Sequence, residues 1–232
     1  MNLSVVIPVY NEVGNIEPLM EELATIREHF EFYEVILVDD GSCDGTPEQV
    51  KRAQERFDFL KPILCEKNRG QSAALLTGLK AATGALVCTL DGDLQNDPAD
   101  IPALARATSA YDVVCGYRAK RKDSWSRRAG SRLANKVRSA VTHDGIRDTG
   151  CSLKVFKRAC VDDLPALDGV HRFMPAYFML NGRTIHQLPV NHRARIHGTS
   201  KYTNLKRLPR TLHDLWGFAW YRSRWVGTCD EP

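Results

Sequence analysis

Asp91 and Asp93 stand two residues apart at the end of an apolar run, Ala85-Leu86-Val87-Cys88-Thr89-Leu90, with Gly92 between them and Gln95 just beyond. Side chains two apart on an extended segment point the same way, so the pair can present two carboxylates to one hard cation, with Gln95 as a neutral oxygen ligand. Gly92 lets a ligand approach the backbone. Two carboxylates without a histidine or thiolate suit Mg2+ or Mn2+ shared with a substrate diphosphate better than structural zinc. A solvated acidic turn uses the same residue types, and the triplet alone does not choose between them. Its place at the end of a buried strand favours the metal, because ligands of parallel sheets gather at the strands' carboxyl ends.

Two other strand ends carry acids. Pro8-Val9-Tyr10-Asn11-Glu12 closes the first apolar strand and Asp39-Asp40-Gly41-Ser42 closes the second. Carboxylates there can accept hydrogen bonds from a base or a ribose; the competing reading is that Asp40-Gly41 makes a turn and Glu12 caps a helix. A solvated sheet edge has no need to collect three such ends. The dinucleotide fingerprint G-x-G-x-x-G and the phosphate loop G-x-x-x-x-G-K-[ST] are both absent from the sequence, so a nucleotide must be held in another way.

The elements that position these residues alternate. Apolar strands are predicted over 3–9, 33–38, 60–65 and 85–90, and helices over 15–30, 46–57, 70–82 and 98–107, the last opened by Asp97-Pro98. Strands alternating with helices of this length imply right-handed crossovers and a parallel sheet covered on both faces. The second half is less regular, with strands expected at 113–117, 152–156 and 185–192 and helices at 125–141, 172–180 and 204–221. Residues 193–202 read as a basic loop.

The 232 residues suit one domain with a substantial core, and no run of 18 or more apolar residues exists to cross a bilayer. The N-terminus lacks the pattern of a signal peptide and starts directly in a strand. Seven cysteines, at 43, 65, 88, 115, 151, 160 and 229, are odd in number and never in C-x-x-C spacing. They read as reduced thiols of a cytosolic protein. The net charge of +4 hides a division: residues 1–117 hold 9 Lys and Arg against 19 Asp and Glu, whereas residues 118–232 hold 23 against 9. A basic half can serve nucleic acid, an anionic membrane or a phosphorylated substrate. The histidines at 171, 186, 192, 197 and 213 show no zinc-ligand spacing on a helix and read as structural or surface residues.

With these motifs in place the chain resembles the family-2 glycosyltransferases of the GT-A fold, and within them the branch that glycosylates polyprenyl phosphates. It is similar to the dolichol-phosphate mannose synthases and, more closely, to bacterial undecaprenyl-phosphate aminoarabinose transferases. The resemblance covers about residues 3–215 and also rests on Asn68-Arg69-Gly70, Asp123-Ser124-Trp125, Asp148-Thr149-Gly150-Cys151 and Gly198-Thr199-Ser200-Lys201-Tyr202. It implies an α/β GT-A (Rossmann-like) fold, a mostly parallel sheet with helices on both faces. The chain is then expected to divide into a GT-A domain over 1–203 and a C-terminal amphipathic helix and tail over 204–232 without a transmembrane helix, a departure from the many members of the family that continue into membrane helices. Residues 1–117 then form the nucleotide-sugar and metal half, and 118–203 the basic acceptor half.

By the same resemblance Pro8, Tyr10, Glu12, Asp40 and Asp91 contact the donor, and Asp91, Asp93 and Gln95 hold Mg2+ or Mn2+. Arg118, Arg127, Ser131, Arg195 and Lys201 hold the lipid phosphate, with Asp91, Asp93 and Arg118 as the catalytic set. Arginine forks suit phosphate oxygens and a lysine supplies a point charge. Lys120, Arg121, Lys122, Arg128 and Arg132 read as an anionic-membrane patch.

The expected activity is inverting, metal-dependent sugar transfer from a nucleotide diphosphate sugar, UDP-linked in preference to GDP-mannose, to an undecaprenyl or dolichyl phosphate. The enzyme would lie peripherally on the cytoplasmic face of the membrane, with a separate integral membrane protein or a second copy of the chain left open as partner. Trp216 to Trp225 mixes aromatics with arginines, as an interfacial helix does, and a core-packed helix end is the alternative. Tyr221 stands where processive synthases of the wider family carry the glutamine of Gln-x-x-Arg-Trp, which argues against processive synthesis. A saccharide or soluble acceptor, a nucleotidyltransferase, and a nucleic-acid- or membrane-binding module without catalysis are the rival readings. No nucleic-acid partner is expected, because the basic residues lack regularly interleaved aromatics.

Overall fold

The computed structural model describes residues 1–119, 138–194 and 204–226, without the side chains of 204–211. Among the described residues seven strands form one sheet: β1 (Asn2–Val9), β2 (Phe32–Asp39), β3 (Leu60–Leu64), β4 (Leu86–Thr89), β5 (Val113–Arg118), β6 (Lys154–Lys157) and β7 (Ile185–Val190), in the order β3-β2-β1-β4-β6-β5-β7. β1 pairs in parallel with β2 and β4, β2 with β3, and β5 with β7; β6 alone runs antiparallel, between β4 and β5. The sheet is mostly parallel, as expected, and it unites the acidic and basic halves of the chain.

Each face is sealed by helices whose apolar residues recur at helical spacing. α1 (Ile16–Ala24), α2 (Thr46–Arg56) and α4 (Ile101–Ala107) cover one face, with Ile16, Leu19, Leu23, Val50, Ile101 and Leu104 against Val5, Ile7 and Val35. α3 (Gln71–Ala81) and α5 (Val170–Leu180) cover the other, where Leu75, Leu79, Met174 and Phe178 meet Val6, Val87 and Phe156. Gly78 lets α3 lie close to the sheet, since a Cβ there would stand 2.4 Å from Val6 Cγ1. α6 (Asn204–Arg224) packs Leu215 and Phe218 against Phe173 and Tyr177 of α5.

The helix predicted over 15–30 is shorter: α1 ends at Ala24 and a separate 3-10 turn spans Arg27–His29. Both the amide and the hydroxyl of Thr25 donate to the Glu22 carbonyl, at 3.2 and 2.7 Å, and this local competition closes the helix. Most of the helix expected over 125–141 lies outside the described residues; 138–142 are helical.

At the opposite edge from the acidic strand ends, Glu34 is buried and joins three segments. It accepts from Ser4 Oγ (2.5 Å), Thr83 N (2.8 Å), Thr83 Oγ1 (2.7 Å) and Lys61 Nζ (2.6 Å). Burial pushes its carboxyl up, but these donors outweigh that and bring it down to about 2. A folded-state value below the unfolded one, roughly 4.3 for glutamate, gives stability that is present above that pH and lost as pH falls towards 2. Glu34→Gln is therefore expected to lower the urea midpoint more at pH 7 than at pH 3. An equal loss at both would contradict a charged Glu34.

Candidate active site at the carboxyl ends of β1, β2 and β4

The sheet order places β1 between β2 and β4, so the three acidic exits are neighbours on one edge. Ser42 binds the first two together. Its hydroxyl donates to Asp39 Oδ1 and accepts from Asn11 N at 2.7 Å, while its amide donates to Asp39 Oδ2 at 3.2 Å. Asn11 holds φ 54°, a left-handed conformation that asparagine tolerates, and its Oδ1 accepts from Cys43 N at 3.0 Å. Glu12 N donates to Thr46 Oγ1 at 2.9 Å and Asn15 Nδ2 donates to Glu12 Oε2 at 2.5 Å, which ties the exit of β1 to the start of α2. Pro8 and Tyr10 are half-buried on the same rim.

Asp39 and Asp40, adjacent and alike in sequence, do different work. Asp40 is buried and holds the Asn68-Arg69-Gly70 loop, Oδ1 accepting from Arg69 N and Oδ2 from Gly70 N, both at 2.8 Å. Gly70, at φ 92°, then opens α3. The residue expected to meet the donor thus also builds the loop beside it.

The Asp91-Gly92-Asp93 segment is a turn, which corrects the extended geometry expected from its spacing. β4 ends at Thr89, and Leu94, buried, holds φ 61°. Burying the Leu94 side chain secures a backbone conformation that leucine otherwise avoids, a form of local strain found where geometry matters. Packing gives a further reason for Gly92: a Cβ there would lie 2.6 Å from Val9 Cγ1. Asp93 Oδ1 accepts from Gln95 N at 3.2 Å, and Asp91 Oδ1 accepts from Gln71 Nε2, at the start of α3, at 3.2 Å. Ser152 closes the turn from below, accepting from Asp91 N (3.2 Å) and Asn96 Nδ2 (2.8 Å) through one hydroxyl. Beyond it Asp97 caps the helical segment, accepting from Ala99 N at 3.1 Å.

Asp91, Asp93 and Gln95 thus share one turn and offer hard oxygen donors. Among the described residues no three His, Cys, Asp or Glu side chains gather into a closed cage. Two carboxylates in an open turn fit Mg2+ or Mn2+, which keep coordination positions for water and substrate phosphate.

Arg118, the last residue of β5, is engaged by Asp148 as a fork: Nε donates to Oδ2 at 2.6 Å and Nη2 to Oδ1 at 2.7 Å. The pair is largely buried, at 16% and 12% exposure. Gly150 makes room for it, since a Cβ there would stand 2.9 Å from Arg118 Nη2. The Asp148-Thr149-Gly150-Cys151 motif thereby acquires a physical task. Arg127, Ser131, Arg195 and Lys201, with Lys120, Arg121, Lys122, Arg128 and Arg132, lie outside the described residues. Gln71 and Ser152 are supporting residues that the sequence reading missed, and Asp148 entered it as part of a motif without its role as the partner of Arg118.

A sequence profile of the family described as glycosyl transferase family 2 matches residues 4–164. The undecaprenyl-phosphate 4-deoxy-4-formamido-L-arabinose transferase of Aeromonas hydrophila subsp. hydrophila is 39% identical over 216 residues, 92% of this chain; the chain spans 66% of that relative's length. Two solved structures of glucosyl-3-phosphoglycerate synthase from Mycobacterium tuberculosis share the fold. One, in complex with Mn2+, UDP and glucosyl-3-phosphoglycerate, superposes with a TM-score of 0.73 at 20% identity, over 95% of this chain and 79% of that one. The other, with Mg2+ and UDP, gives 0.71 at 18% identity over 95% and 79%.

Proposed function

The chain belongs to glycosyl transferase family 2, and from that premise we propose that it transfers a sugar from a UDP-sugar to a polyprenyl phosphate at a membrane surface, inverting the anomeric carbon. The observation that carries this reading is the convergence of three acidic strand exits on one edge of the sheet, the Asp91-Gly92-Asp93 turn among them. The 39% identity to a named undecaprenyl-phosphate transferase supports the acceptor.

A phosphate monoester is largely dianionic at neutral pH, so the acceptor needs no general base. Its oxygen bonds to the anomeric carbon as the bond from that carbon to the donor diphosphate breaks, the electron pair leaving with the diphosphate. The protein's task is alignment and charge control. Asp91 and Asp93, with Gln95, would hold the divalent cation, Mg2+ or Mn2+, whose positive charge would offset charge on the leaving diphosphate. Pro8, Tyr10, Glu12 and Asp40 place the nucleoside on the rim that Ser42 knits together. Arg118, with Arg127, Ser131, Arg195 and Lys201, holds the acceptor phosphate on the far side of the sugar.

α6 supports the membrane surface. Leu215 and Phe218 face the domain, while Leu212, Trp216 and Trp220, one turn apart, are 52%, 67% and 56% exposed, with Arg222 and Arg224 at the helix end. Exposed tryptophans flanked by arginines suit the headgroup level of an anionic bilayer. Among the described residues no helix is long and apolar enough to cross one. We place the enzyme peripherally on the cytoplasmic face. The double variant Trp216→Ser/Trp220→Ser is expected to weaken sedimentation with phosphatidylglycerol vesicles about 10-fold; undiminished binding would remove α6 from the membrane contact.

Isothermal titration with UDP tests the donor side. Binding in the presence of Mn2+ that is lost in EDTA supports the reading, and heat that is the same in EDTA contradicts it.

A further inference from the structure

The segment that leaves β7 runs along the acidic turn and grips it residue by residue. Asn191 donates to Asp100 through its amide at 2.6 Å and its Nδ2 at 3.0 Å. His192 forms an antiparallel bridge with Asn96. Arg193 N donates to the Gln95 carbonyl at 2.8 Å, and its guanidinium spans two carboxylates, Nη1 to Glu22 Oε1 on α1 at 2.5 Å and Nη2 to Asp97 Oδ2 at 2.7 Å. The second oxygen of Glu22 is buried with no hydrogen-bond partner among the described residues, so the Arg193 contact is the one that its carboxylate makes there.

From this we infer that Arg193 is a positioning residue for the metal-holding turn, fixing Gln95 and Asp97 against α1 so that Asp91 and Asp93 are presented in one geometry. The turn needs such a fixture. Its conformation includes Leu94 at φ 61°, which relaxes unless neighbouring contacts over-determine it. Ser152 holds the turn at Asp91 and Asn96; Arg193 holds its far end, at the carbonyl of the proposed ligand Gln95. A guanidinium suits the task because its planar fork reaches two carboxylates at once, which a lysine ammonium on a single flexible stem does less well. Partners that orient metal ligands from outside the coordination sphere commonly change metal affinity when lost.

The inference rests on the reading that Asp91 and Asp93 hold the cation, and its test separates the two. Amide hydrogen exchange over residues 90–97 is measured in the metal-free full chain, and Mn2+ affinity by electron paramagnetic resonance in the presence of UDP. Arg193→Ala is expected to speed exchange in the turn at least about 10-fold, leave β1 and β2 unchanged, and weaken Mn2+ binding about 10- to 100-fold. Glu22→Gln keeps the side-chain shape and weakens one arm only, so it gives a smaller change in the same direction and serves if Arg193→Ala does not fold. Arg27→Ala, which breaks the exposed ion pair with Asp58, is the control and should change neither. Faster exchange everywhere, or an unaltered turn with unaltered Mn2+ affinity, overturns the inference. A wild-type chain that binds no Mn2+ overturns the metal reading instead, and the exchange result alone then decides whether Arg193 holds the turn.

Discussion

Asp91→Asn and Asp93→Asn are each expected to lower sugar transfer on the order of 10³-fold while leaving the thermal midpoint within a degree or two. The amide is nearly isosteric with the carboxylate and the turn does not depend on the charge. The Asp91 bond to Ser152 is made by its backbone N–H, and the Asn Oδ1 can still accept from Gln71 Nε2. At residue 93 an Asn Oδ1 can likewise accept from Gln95 N. What the substitutions remove is one negative charge at the site where the cation offsets charge building on the leaving diphosphate. The loss should be accompanied by weaker Mn2+-dependent UDP binding in titration. Transfer within tenfold of wild type at saturating donor in either variant would take the turn out of catalysis.

Arg118→Ala is expected to act twice. It leaves Asp148, 12% exposed, as a largely buried carboxylate without its fork, and breaking such a pair from one side costs about 3 kcal/mol or more. It also removes a guanidinium proposed to hold the acceptor phosphate. The double variant Arg118→Ala/Asp148→Ala separates these effects. With both charges gone the desolvation penalty disappears, so urea unfolding should recover most of the lost stability, whereas KM for polyprenyl phosphate should stay raised about 10- to 100-fold, consistent with the loss of one or two charge-assisted hydrogen bonds. Acceptor KM returning to the wild-type value in the double variant would leave Arg118 with a structural role only. Gly150→Ala should repeat the defect mildly, because its new methyl group presses on Arg118 Nη2.

The parts of the fold legible in the sequence were those set by periodicity and burial. The apolar runs at 3–9, 33–38 and 85–90 became β1, β2 and β4, and the acids that follow them meet at one edge because β1 lies between the other two. The direction of β6 was not legible, since four residues, Lys154–Lys157, read alike in either orientation and only their pairing with Leu86–Thr89 fixes it. Nor could spacing reveal that the Asp91–Asp93 segment leads into a buried Leu94 at φ 61°.

Within the site, residue type was legible and partnership was not. Asp39 and Asp40 are indistinguishable as letters, yet one holds Ser42 and the other the Arg69-Gly70 amides. The Asp148 fork on Arg118 was not legible, because Asp148 lies 30 residues away in the chain. Arg193 was lost among neighbouring basic residues, and only its span from Glu22 to Asp97 sets it apart. At Gly92 the packing of Val9 where a side chain would stand was likewise not legible.

Mass spectrometry of the lipid fraction after incubation with Mn2+, undecaprenyl phosphate and a panel of UDP- and GDP-sugars tests the central claim most directly. The account predicts a glycosylated undecaprenyl phosphate formed from a UDP-sugar, absent when EDTA replaces Mn2+. Donor consumed with the sugar appearing only on water or a soluble acceptor, and no lipid product from any donor, would contradict it.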